Sequence, residues 1–117
     1  MAFGPDILKI DVERETERVV SFLREQVKTV YRRNGIVVGL SGGIDSAVMA
    51  ELAVRAFGAQ AVVGLILPER ESNPVSSSYA KAHAEKMGVA YREVDVTATV
   101  TGVMAYEQRD DYIRTLV

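Results

Sequence analysis

The chain has 117 residues and 12.8 kDa, 48% hydrophobic and 26% charged, with nine Gly, three Pro and neither Cys nor Trp. This is the composition of one soluble globular domain: roughly 65% of the unfolded surface can be buried at this length, which allows one core and excludes a multidomain chain. A net charge of −2 and a pI near 5.4 exclude broad electrostatic binding of nucleic acid or anionic membrane, and the missing cysteines exclude disulfides, thiolate zinc and a cysteine nucleophile.

The N-terminal stretch MAFGPDILKIDVERE carries acids early and has neither a basic n-region nor an apolar core, so no export signal is expected and the cytoplasm is the default compartment. Asp11 is placed to cap a first helix, with Glu13 and Glu15 in its first turn, Arg32 and Arg33 in its last, and Asn34-Gly35 as its stop. Val12, Thr16, Val19, Val20, Leu23 and Val27 recur at three/four spacing and give it one apolar stripe. Ile36 to Leu40 is a continuous β-branched run, the pattern of a parallel strand covered on both faces. A second helix runs from Ile44 to a stop at Gly58. Ala61 to Leu67 is the second strand, ended by Pro68 and the polar stretch Glu69 to Asn73. Asn73-Pro74 reads as N-cap and first turn of a third helix reaching Gly88, and the third strand is expected over Val89 to Val96. A last helix is expected from Thr97 to Val117, weakened at Gly102. Neither strand run approaches the ~20 apolar residues that span a bilayer.

Helices alternating with strands mark an α/β fold, a parallel sheet doubly wound by helices in the Rossmann manner. Three strands make a small sheet of this kind, so the domain is expected to be incomplete, with more chain belonging to it.

One loop carries chemistry: Gly39-Leu40-Ser41-Gly42-Gly43-Ile44-Asp45-Ser46 joins the first strand to the second helix. Ligands of open α/β sheets bind beyond the carboxyl ends of the strands, where the next helix offers free N–H groups and the positive end of its dipole. Gly42 and Gly43 admit phosphate oxygens close to the backbone, while Ser41 and Ser46 supply hydroxyl donors. Asp45 would repel a phosphate unless a cation lay between, so the expected ligand is a Mg2+-nucleotide. The loop is neither GxxxxGK[ST] nor GxGxxG. The alternative is a tight Gly-Gly turn in which Asp45 or Ser46 only caps the helix.

SGGIDS between a hydrophobic strand and an alanine-rich helix resembles the SGGxDS loop of the N-type ATP pyrophosphatases. That superfamily includes NAD, GMP, asparagine and argininosuccinate synthetases and several tRNA-modifying enzymes. The wider stretches GIVVGLSGGIDSAVMAELAVRAFG, VVGLILPER and SNPVSSSYAKAHAEKMGVAYREVDVT most resemble the NAD synthetases, over Val19 to about Ile113. The resemblance implies an amide-forming ligase: the carboxylate of deamido-NAD attacks the α-phosphate of ATP, pyrophosphate leaves, and ammonia displaces AMP to give NAD. It implies no catalytic side chain. Within the nucleotide-binding loop that begins at Gly39 and Leu40, it implies that Ser41, Gly42, Gly43 and Ser46 grip pyrophosphate and Asp45 holds Mg2+. Leu67 would face adenine through its backbone, and Arg70 would lie near the nucleotide. A homodimer is implied as well, while the net charge and the short apolar runs give no reason to expect a nucleic-acid or membrane partner. Set against these expectations are a non-catalytic ATP-binding module and a related ligase with another acceptor.

The sequence departs from that family in three ways. Family members are over twice this long, Ser76-Ser77-Ser78 stands where many relatives are acidic, and no glutaminase segment precedes the first helix. Ammonia would therefore come free or from another chain. His83, with Tyr79 and Met87 one turn away, reads as a packed or surface histidine, and Asp95 and Asp110-Asp111 as solvated positions.

Overall fold

The computed structural model describes residues 4–116. Met1 to Phe3, part of the stretch read for an export signal, and Val117, the expected end of the last helix, lie outside the described residues. After a 3-10 turn at Pro5–Leu8, the elements are α1 (Val12–Arg24), β1 (Ile36–Gly39), α2 (Ile44–Phe57), β2 (Val62–Ile66), α3 (Pro74–Met87), β3 (Ala90–Glu93), α4 (Thr97–Gly102) and α5 (Ala105–Leu116).

The expected caps form. Asp11 accepts the Arg14 N–H at 3.1 Å and Asn73 the Val75 N–H at 3.0 Å, each satisfying a first-turn donor. Gly88 closes α3 in the left-handed conformation, φ 68. The first helix departs from expectation at its far end. Past Arg24 it widens into a π-helical segment, Glu25–Val30, and Tyr31 and Arg33 N–H groups close onto the carbonyls of Gln26 and Val27. With its last carbonyls satisfied, the chain turns at Arg32, φ 53, before reaching Asn34-Gly35.

The three strands are parallel in the order β1-β2-β3, with Val37, Val63 and Ala90 in one row and Val38, Gly64 and Tyr91 in the next. β3 is shorter than expected. Val94 and Val96 still donate to Ile66 and Pro68, but Pro68 has no N–H to return and the ladder ends. The expected last helix is two helices. Past Gly102 the chain turns through Met104, φ 56, and α5 starts in a new direction.

The core lies between the sheet and α2 and α3. Ala50 and Ala53 of α2, with Ala80 and Ala84 of α3, are small enough to let both helices sit close on Leu40, Val62, Ile66 and Val89. α1 packs on α2, where Arg24 donates from Nε to the Ala56 carbonyl and from Nη2 to the Arg55 carbonyl, both at 2.9 Å. These bonds close the C-terminal carbonyls of α2 with a cation, as its dipole favours. Among the described residues no helix covers the opposite sheet face, where Val37 is 61% exposed. The expectation of strands covered on both faces is therefore met on one face. Two right-handed crossovers stepping the same way across a sheet put both helices on the same side.

Candidate functional site

The loop between β1 and α2 lies at the carboxyl edge of the sheet and is held by its own serines. The Ser41 N–H and Oγ both donate to Ser46 Oγ, at 3.2 and 3.1 Å, while Ser46 Oγ donates to the Gly43 carbonyl at 3.0 Å. Gly43 N–H in turn donates to Ser41 Oγ at 3.3 Å. Gly42 has φ 80 and lies so near α3 that a Cβ would run into the Ser76 carbonyl, so glycine is required both for the turn and for the close approach. The N-cap of α2 is Gly43, with no side chain capping it. Neither Asp45 nor Ser46 spends itself as a cap, and the first-turn N–H groups remain available to an anion.

Two clefts flank this loop and share Leu40. One, of about 210 Å³, lies beyond the ends of β1 and β2 and is lined by Ser41, Leu67, Pro68, Asn73, Ser76 and Ser77. The other, of about 240 Å³, runs between α2 and α3 past Gly42, Gly43, Ser46, Tyr79 and His83. The first wall is rich in hydroxyls, the second is largely apolar with Ser46 and Tyr79, and neither carries an acid, which suits an anionic ligand with an apolar end. Asp45 is exposed on the first turn of α2 and has no ion-pair partner among the described residues.

Residues 15–115 match the family described as NAD synthase. The chain belongs to the NAD synthase family. It is 44% identical over all of its 117 residues to the NH(3)-dependent NAD(+) synthetase of Rhizobium meliloti, covering 35% of that protein. Against the NH(3)-dependent NAD(+) synthetase of Methanocaldococcus jannaschii it is 45% identical over 86 residues, 74% of this chain and 33% of that one. The chain thus spans about a third of the length of these relatives. Among solved structures, the NH3-dependent NAD synthetase of Campylobacter jejuni superposes with a TM-score of 0.74 at 30% identity, over 83% of this chain and 42% of that one. The NMN synthetase of Francisella tularensis gives 0.74 at 26%, over 86% and 41%.

Within this NAD synthase fold the residues singled out in the sequence do not all converge. Gly39 ends β1, and Leu40 to Ser46 form the loop and first turn described above. Leu67 follows β2 and lines the cleft beyond β1 and β2, half exposed. Arg70 does not line that cleft; its guanidinium lies over the ring of Tyr106. His83 is half-buried at the cleft between α2 and α3, with Nε2 3.2 Å from the Ala47 carbonyl. Ser72, Asn73, Ser76 and Ser77 line the cleft without having been singled out as binding residues. Their signal is the density of hydroxyl and amide side chains around Pro74, where the sequence reading takes Asn73 as an N-cap, Ser72 as part of a polar loop and Ser76 and Ser77 as a departure from the family.

Proposed function

We propose that this chain is the nucleotide-binding unit of an AMP-forming, ammonia-dependent NAD synthetase, one domain over residues 1–117. The single observation that carries the reading is the uncapped SGGIDS turn at the strand-to-helix junction, opening on a hydroxyl-lined cleft in a fold shared with NAD synthetases. In this reading Ser41, Gly42, Gly43 and Ser46 hold the pyrophosphate of ATP, and Leu67 borders the adenine. The carboxylate of deamido-NAD attacks the α-phosphate, pyrophosphate leaves, and ammonia displaces AMP from the adenylate. Such a displacement calls for positioning and for neutralising the leaving group, which backbone N–H groups and hydroxyls supply without a protein nucleophile.

In this reading Mg2+ has a single protein carboxylate, Asp45. No group of three or more His, Cys, Asp or Glu converges among the described residues, so a cation would draw most of its ligands from phosphate and water, as Mg2+ does, with Asp45 as its carboxylate. When bound, it would offset the charge of the departing pyrophosphate. A homodimer in the cytoplasm completes the reading, and no described helix is long and apolar enough to cross a membrane.

A second reading is an ATP-binding unit without turnover of its own, because what the loop and the cleft beside it display is hydrogen-bond donors for a phosphate. The Francisella NMN synthetase also supports a different acceptor on the same fold. Product analysis by mass spectrometry, with Mg-ATP, deamido-NAD and ammonia, separates these. AMP and NAD from the parent chain, both lost in Asp45→Ala, are expected for the ligase. ATP bound but intact assigns the binding unit, and no binding at all would overturn both.

A further inference from the structure

Tyr106 is the one described residue of α5 that is buried, 5% exposed, and it is buried against a loop instead of the sheet. Its hydroxyl donates to the Glu69 carboxylate, and the Arg70 guanidinium stands 3.6 Å over its ring centroid. Near the same face of α5, Arg109 grips the Glu71 carboxylate through Nη1 at 2.6 Å and Nη2 at 3.2 Å. The loop is also closed on itself. Glu69 Oε1 accepts from the Glu71 N–H at 3.1 Å and from Ser72 Oγ at 3.3 Å, and Ser72 Oγ accepts the Glu69 N–H at 3.0 Å. Val96, just ahead of α4, donates to the Pro68 carbonyl at 2.9 Å. Every residue from Pro68 to Ser72 is therefore held. Glu69, Arg70 and Glu71 do not line the nucleotide cleft, whereas their neighbours Pro68, Ser72 and Asn73 form its wall.

We propose that Tyr106 and Arg109 are positioning residues: by clamping Glu69, Arg70 and Glu71, they fix the wall of the nucleotide cleft before ligand arrives. The inference rests on the nucleotide reading of that cleft. A free loop following a strand would have to be ordered at each binding event, and a loop already ordered by a bidentate Arg–carboxylate pair, a stacked guanidinium and a charge-assisted phenol bond spares the ligand that cost. The turn at Met104 is part of the device, because it redirects α5 so that Tyr106 meets the loop. The carboxylates respond accordingly. The Tyr106 hydroxyl holds Glu69, and the Arg109 guanidinium holds Glu71, below the ordinary carboxylate range.

The test is Mg-ATP titration by calorimetry together with amide hydrogen exchange, on the parent chain, Tyr106→Ala, Tyr106→Phe and Arg109→Ala, each checked for parent-like circular dichroism. Tyr106→Ala is expected to weaken Mg-ATP about tenfold and to speed exchange at Glu71 and Ser72 by a similar factor, with Ser41 and Gly43 unchanged. Tyr106→Phe, which keeps the stacked ring, recovers part of both effects. Adding Arg70→Ala to Tyr106→Ala changes little further, as residues acting in one clamp should. Parent-like exchange in Tyr106→Ala, or a loosened loop with parent affinity, overturns the proposal. Should Tyr106→Ala not fold, Tyr106→Phe and Arg109→Ala carry the same comparison. A parent chain that binds no Mg-ATP fails the nucleotide reading and the positioning role with it, while loop exchange in the variants still decides whether the clamp exists.

Discussion

Gly42 shows how much one position decides. Its φ of 80 and its approach to the Ser76 carbonyl exclude any side chain without a shift of α3 or of the loop. Gly42→Ala is expected to lose about 1–2 kcal/mol from the left-handed conformation alone, and to abolish Mg-ATP binding by displacing Ser41 and Gly43. Urea unfolding and calorimetry check the two effects, and a variant with parent stability and parent affinity would sink the account. That a glycine turn joins the strand to the helix was legible in the sequence, because the spacing of strand, Gly-Gly and helix is local, whereas the approach of Gly42 to Ser76 on α3 was not. Nor was the place of Arg70. Its ring partner lies in α5, and the neighbouring Glu69–Tyr106 contact joins residues 37 apart, a separation that no local pattern encodes.

Elements were legible to the extent that their ends are set locally. Asp11 and Asn73 cap as their side chains dictate, and Gly88 stops α3. The end of the first helix and the division of the last depart from the expectation: no local signal marks the π-helical segment Glu25–Val30, and the break falls at Met104, φ 56, just past the Gly102 that weakens the pattern. The docking of α5 on the loop after β2 has a consequence in acid. Glu69 and Glu71 have folded pKa values lowered from 4.5, the first by the Tyr106 hydroxyl and the second by Arg109, so their contribution to stability is present above that value and is lost as pH falls through the folded pKa. Urea midpoints measured from neutral pH down to about pH 3 are expected to fall below the ordinary glutamate range, and to fall less steeply in Glu71→Gln. Parallel curves for the two chains would remove Glu71 as a source of acid sensitivity.

As a whole the molecule is open. Its radius of gyration is 18.3 Å, against about 13 Å for a compact chain of this length. It exposes 8924 Å², against the roughly 6300 Å² of a compact protein of this mass, so it buries about half of its unfolded surface and not the 65% expected from length. Part of the excess is the bare sheet face around Val37 and Val63, where apolar side chains meet water beside the unpaired edge of β1. Anilinonaphthalene sulfonate is expected to bind this face. Val37→Lys with Val63→Lys should cut the fluorescence roughly twofold or more and reduce self-association in sedimentation, since a charge on a flat apolar surface opposes both. Unchanged dye binding would place the sticky surface elsewhere. By itself the sequence determined the parallel α/β order, the caps and the Gly-Gly turn between β1 and α2, because each depends on residues within a few positions of one another. Only the tertiary structure decided which sheet face is covered, where Arg70 lies and what holds the cleft wall, because these depend on crossover direction and on contacts between residues far apart in the chain.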